Sequence, residues 1–237
     1  MENSIELTKK LIEIESVSGN EEKILTFLED FLRKNSAQVW QTEDFVAGVF
    51  RSSKTTKKAV ILTGHIDTVS AGELSQWKNS PWSAIETSEK IVGLGASDMK
   101  AGVATSFVAG LDFWWENSET ADFDLWLVAV SNEELDGSGS AKFAEWLKNS
   151  EFDYSEIYGL ISEPTGNSQI EVGHRGNRFV VFEFSGISGH ASQQGNFEKS
   201  ALAKTTVFLN DLNKIYEQMR TKYLNEILGA PSLVATS

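Results

Sequence analysis

Between residues 5 and 14, Ile5, Leu7, Leu11 and Ile14 stand among charged neighbours, and from 21 to 34 Ile24, Phe27, Leu28, Phe31 and Leu32 recur at helical spacing. Apolar positions three and four apart build one stripe on a helix, so both stretches predict amphipathic helices. The second opens at Ser18-Gly19-Asn20-Glu21, where a Ser three residues before a Glu has the form of a capping box. FVAGVF at 45–50, AVILT at 59–63, FDLWLVAV at 123–130 and IYGLI at 157–161 read as strands, and AVILT is almost wholly apolar, as a strand covered on both faces is. Helical stretches at 99–115 and 140–148 fall between them. Strands alternating with helices predict an α/β sandwich around a mostly parallel sheet.

From about residue 169 the pattern changes. QIEVGHRGN and RFVVFEFSG read as consecutive strands, a long helical pattern covers 198–219, and LVAT near residue 235 reads as the start of another strand. The chain is accordingly divided into a first domain, 1–174, and the beginning of an α+β domain, 175–237.

Composition narrows the chemistry. With 41% hydrophobic residues the chain of 237 has enough apolar surface for a core, which excludes a disordered acidic protein. A net charge of −13 and no run of Lys and Arg argue against nucleic acid or an anionic membrane as partner. There is no cysteine, so thiolate nucleophiles, disulfides and Cys-ligated zinc are excluded and any metal must use His and carboxylates. Acids and lysines interrupt the first residues where a signal peptide needs an apolar stretch, and the expected location is the cytoplasm. Only three histidines are present, His65, His174 and His190.

Most candidate chemistry follows strands. His65 and Asp67 come directly after AVILTG; two apart on extended chain, they point the same way at the carboxyl edge of the sheet. The pair suits either a metal ligand steadied by a carboxylate or a capped strand end with an incidental histidine. Asp98 ends Gly93-Leu94-Gly95-Ala96-Ser97, a loop in which a carboxylate would repel a pyrophosphate, so a dinucleotide site is excluded; taken alone, Asp98 reads as a helix N-cap. Glu133 and Glu134 end FDLWLVAV, and Glu163 ends IYGLI. Adjacent carboxylates past a buried strand repel one another unless a cation or a shared proton compensates. Jointly, these residues gather carboxylates and one imidazole at one rim, and divalent cations would balance that charge.

GHIDTV at 64–69, GLGASDMKAG at 93–102, NEELDGSG at 132–139, SEPT at 162–165 and SGHAS at 188–192 resemble, in order and spacing, the dinuclear-zinc amidohydrolases and peptidases that include acetylornithine deacetylase, succinyl-diaminopimelate desuccinylase, aminoacylase and glutamate carboxypeptidase. The resemblance implies a three-layer αβα, zinc-exopeptidase-like catalytic domain followed by an incomplete, ferredoxin-like lid and dimerisation domain. It makes His65 and Glu163 ligands of one zinc, Glu134 a ligand of the other, and Asp98 the bridge, with Co2+ or Mn2+ as alternatives. It makes Asp67 the residue that steadies His65, Glu133 the general base, and His190 the histidine that reaches a partner subunit's site to hold the oxyanion. The implied reaction is amide hydrolysis of N-acyl amino acids or small peptides by zinc-activated water, in a homodimer.

Leu94, Ala101 and Asn132 depart from the family's usual residues, and no histidine follows His190 to serve as the late ligand of the second zinc. The second site is therefore expected to be incomplete. The alternative expectation is a catalytically incompetent product that binds metal or a partner without turnover. An interrupted lid is also expected to leave the strand at 179–185 exposed, favouring association through that edge.

Overall fold

The computed structural model describes residues 3–166, 169–173, 175–176, 178, 180–190, 192, 195 and 197–235. His174 and the residues that would close several of the expected strands lie outside these. The chain forms two compact units, Met1–Asn167 and Ser168–Ser237.

In the first unit, helices α1 (Ser4–Glu13) and α2 (Glu22–Lys34) precede strands β1 (Gln38–Gln41), β2 (Phe45–Phe50) and β3 (Lys58–His65). A small hairpin, β4 (Ile85–Glu86) and β5 (Ile91–Val92), leads to α3 (Ala101–Asn117), then β6 (Asp124–Val130), α4 (Ser138–Lys148) and β7 (Glu156–Ile161). The main sheet has the order β1-β2-β6-β3-β7. β3 pairs in parallel with both β6 and β7, whereas β2 runs antiparallel to β1 and β6, so every strand but β2 points the same way.

The period of two along β2 and β6 explains why both strands read as continuously apolar. Val46 and Phe50 of β2 with Leu125, Leu127 and Ala129 of β6 face one layer, where α1, α2 and α3 contribute Leu7, Leu11, Leu28 and Phe107. Phe45, Ala47 and Val49 with Trp126, Val128 and Val130 face the other, closed by Phe143 and Leu147 of α4. Helices on both faces bury both sides of β2 and β6, whereas β7 at the sheet edge is exposed at every position, contrary to its apolar sequence. Trp126 has no exposed surface, and Trp40, Trp146 and Phe152 pack around it with ring centres 4.8–6.1 Å away.

The expected capping box at Ser18 does not form. α2 starts at Glu22 with Glu21 at its N-cap and no side-chain cap, so Ser18 lies three residues ahead of the capping position, and its Oγ donates to Asp67 Oδ2 at 2.7 Å. α3 starts later than expected. The chain passes Gly95 (φ +73) and an irregular turn, Ala96–Lys100, in which Asp98 is extended (φ −120, ψ 99). Lys100, 1% exposed, donates from Nζ to Leu11 O at 2.8 Å and Ile14 O at 2.9 Å, satisfying carbonyls at the end of α1.

The second unit contains α5 (Ala201–Lys222), capped by Ser200 Oγ, which accepts from Ala203 N. Phe182 and Phe184 pack on Phe208 of this helix, with ring centres 4.6 and 5.2 Å apart. Among its described residues no strand is formed at 169–190 or at Leu233–Ala235, where strands were expected. Val180, Val181 and Ile187 are more than half exposed and carry no ladder partner, and isolated strands are not stable in water. The ferredoxin-like lid and the exposed strand edge at 179–185 are thus not seen in the described residues.

Candidate metal centre

The end of β3, the loops after β3, β6 and β7, and the turn before α3 carry His65, Asp67, Asp98, Glu133, Glu134 and Glu163 at one end of the sheet. His65 is the last residue of β3 and is 2% exposed. Its Nδ1 lies 3.0 Å from the Asp67 main-chain oxygen and 3.4 Å from Asp67 Oδ1. Nδ1 is therefore the protonated donor to that carbonyl, and Nε2 is turned to the rim.

Around Nε2 stand three carboxylates: Asp98 Oδ1 at 2.9 Å, Glu163 Oε1 at 3.8 Å and Glu133 Oε2 at 4.0 Å. One ligand atom each from His65, Asp98 and Glu163 lies within 4.8 Å of the others. Asp98, extended and not capping the helix as its position alone suggested, spends its carboxylate on His65. The imidazole is a buried floor, and the carboxylates, 38–58% exposed at the side chain, form an open rim.

The electrostatics record the crowding. Burial pushes the His65 ring down, but hydrogen bonds to Asp67 and Asp98 and the nearby charges outweigh it and raise the ring to about 9. Burial first, then Asp98, Glu133 and Glu134, push the Glu163 carboxyl above its ordinary range against the pull of His65. Glu134 is raised by burial, Asp98 and Glu133. Carboxylates crowded round one imidazole nitrogen, with Glu134 and Glu163 held above their ordinary range, are arranged for a cation. One imidazole nitrogen with carboxylate oxygens suits Zn2+, Co2+ or Mn2+. Among the described residues, Glu134 is outside the tight His65, Asp98 and Glu163 group, so a second ion would have fewer donors than the first.

Asp67 has no exposed surface. Glu133 N donates to its Oδ1 and Glu134 N to its Oδ2, each at 3.1 Å. Burial raises the Asp67 carboxyl, but His65, Ser18 and these two amides together hold it below its ordinary range. Asn132, in the left-handed region (φ +58), turns the chain out of β6 so that both amides point inward. Ser18 and Glu21 also serve this site, whereas the sequence showed them only as the two ends of a capping-box pattern ahead of α2. His190 lies in the second unit, exposed, with Nδ1 2.8 Å from Ser192 Oγ.

A family model described as peptidase family M20/M25/M40 matches residues 61–232. A succinyl-diaminopimelate desuccinylase of Rickettsia bellii is 25% identical over 226 residues, covering 91% of this chain and 56% of its own length. A peptidase M20 domain-containing protein of Schizosaccharomyces pombe is 35% identical over 190 residues, 76% of this chain and 43% of its own. The chain thus spans about half the length of the curated relatives it matches. An M20 family metallo-carboxypeptidase of Sulfolobus solfataricus shares the fold, with a TM-score of 0.57 at 16% identity over 68% of this chain and 37% of that one. Among the described residues no helix is long and apolar enough to cross a membrane.

Proposed function

Since the chain belongs to peptidase family M20/M25/M40, we propose that it carries the metal-holding face of a hydrolase that cleaves an amide bond of N-acylated amino acids or small peptides. The observation that carries the reading is the buried His65 imidazole with its Nε2 turned into Asp98, Glu163 and Glu133. In this reading His65, Asp98 and Glu163 hold one divalent cation, zinc by preference, and Asp98 and Glu134 face a second. A cation held by these residues would supply Lewis acidity, for activating a water and polarising the scissile carbonyl.

The remaining steps belong to the chain. Asp67 holds the His65 ring through Nδ1 and keeps Nε2 free as a ligand. Glu133 is near enough to the cation-binding atoms to take the proton of the attacking water and return it to the departing amine. His190 is assigned to the oxyanion, reached across a homodimer, a type of donor worth roughly 3 to 4 kcal/mol.

A second reading is favoured by one observation: among the described residues Glu134 stands outside the His65, Asp98 and Glu163 group. On that reading the chain binds a metal and turns nothing over. Metal analysis after zinc loading, with assays on N-acetyl and N-succinyl amino acids and dipeptides, separates the two. Hydrolysis abolished by Glu133→Gln with metal retained supports the hydrolase. Metal without turnover supports the second reading, and no bound zinc overturns both.

A further inference from the structure

The loop joining α1 to α2 grips both segments that carry the metal centre. Thr68 N donates to Ser16 O at 2.9 Å and Ser18 N to Thr68 O at 3.1 Å, and Val17 bridges Thr68 in parallel. The buried Ser16 hydroxyl donates to Ile66 O at 2.7 Å. On the other side, the Glu21 carboxylate, 5% exposed, accepts from Asn132 N at 3.3 Å. Between these anchors Ser18 Oγ reaches Asp67 Oδ2 at 2.7 Å and Thr68 O at 3.4 Å. A hydroxyl has one proton to give, and the shorter contact to the charged oxygen takes it.

We propose that Ser18 is a positioning residue: its hydroxyl locks the Asp67 carboxylate in the orientation that presents Oδ1 to the Glu133 amide and Oδ2 to the Glu134 amide, and thereby holds the glutamate pair over His65. The terminal torsion of an aspartate is broad, and its two amide donors come from one loop. A third donor from a separate element removes the remaining rotation. The hydroxyl has no other task in helix capping, since α2 takes no side-chain cap. Loop α1–α2 thus supplies a group that acts on the centre only through Asp67, from a sequence distance of 49 residues.

The inference rests on the metal-centre reading for its consequence and on hydrogen bonding alone for its geometry, so two measurements on the full chain are paired. In metal-free protein, amide exchange by NMR is compared for wild type, Ser18→Ala and Ser18→Thr. Ser18→Ala is expected to speed exchange at Glu133 and Glu134 at least tenfold relative to amides within β6, and Ser18→Thr to restore it. Titration with Co2+ is expected to show an affinity about 10- to 100-fold lower in Ser18→Ala, with an altered visible spectrum, again restored by Thr. Wild-type exchange at both glutamates together with wild-type Co2+ affinity overturns the inference. So does an equal acceleration across β6, which marks a role in the fold alone. Ser18→Cys, with its weaker donor, gives the same comparison where the alanine variant does not fold. A wild-type chain that binds no Co2+ overturns the metal reading, while the exchange rates still decide whether Ser18 holds the pair.

Discussion

Gly102 touches the backbone of Ser162: a Cβ placed on Gly102 would stand 2.1 Å from the Ser162 carbonyl oxygen. Gly102 lies in the first turn of α3, just past Asp98, and Ser162 immediately precedes Glu163. The contact therefore sets how near two of the rim carboxylates come. Gly102→Ala gains helix propensity, about 1 kcal/mol, but a clash with backbone forces α3 and the end of β7 apart at about 1–3 kcal/mol. The net expectation is a lower melting temperature and weaker zinc binding. Gly159→Ala, where a Cβ meets nothing within 4 Å, is the control and leaves both unchanged. Equal behaviour of the two variants removes the contact from the argument.

Glu163→Gln separates the folding and binding roles of the rim. In metal-free protein the Glu163 charge is opposed first by burial and then by Asp98, Glu133 and Glu134, with His65 compensating only in part. Removing the charge is expected to raise the metal-free melting temperature. Zinc at a hundred times its dissociation constant adds about 2.7 kcal/mol to wild type, and less to the variant that has lost a ligand. The order of stability should invert on adding zinc. An order that is the same with and without the metal would falsify the placement of Glu163 at the cation.

Much of the first unit was legible because its signals are local. β2 and β6 are buried at every position, and apolar but for Gly48 and Asp124, since odd and even residues enter different layers. The placement of His65 and Asp67 on one side follows from strand period, and their side chains do meet. β1, four residues with glutamine at both ends, gave no apolar run and forms by pairing with β2. Ser18 was misread because a local rule finds Glu21 three residues on but not Asp67 across the fold. Lys100 was passed over for the same reason: its two acceptors belong to the end of α1. In the second unit RFVVFEFSG suggested a strand, yet a strand needs a ladder, and sequence pattern carries no information on whether a partner is present.

Asn132 directs the glutamate pair through its backbone. Its φ of +58 is left-handed, and its carbonyl accepts from Asp136 N at 3.1 Å and Gly137 N at 2.9 Å. Asparagine tolerates this region, glycine adopts it freely, and alanine pays about 1–2 kcal/mol. Urea midpoints should therefore rank wild type and Asn132→Gly together, with Asn132→Ala below them and Asn132→Val lowest. Asn132→Ala should also weaken metal binding, because the strain relaxes by turning Glu133 and Glu134 away from Asp67. A midpoint for Asn132→Ala equal to that of Asn132→Gly would show that the turn does not need the left-handed residue.

At the opposite end of the sheet, Tyr154 provides a pH-dependent element remote from the metal centre. Its hydroxyl donates to Asp124 Oδ2 at 2.7 Å and accepts from Trp126 Nε1 at 3.0 Å, while Arg51 Nε pairs with the same Asp124 oxygen at 2.9 Å. Burial, then the hydrogen bond to Asp124, raise the phenol well above its ordinary value near 10. A folded pKa above the unfolded one means that the phenol's contribution is fully present below about pH 10 and is lost as pH rises beyond it. Of the four tyrosines, Tyr154 should ionise last in an absorbance titration at alkaline pH. Tyr158, raised by its bond to Glu156 but exposed, should precede it. Tyr154→Phe removes the late component and leaves Trp126 Nε1 without that acceptor, at a cost of about 1–3 kcal/mol. Four tyrosines titrating together near pH 10 in folded protein would mean that the hydroxyl is not held between Asp124 and Trp126.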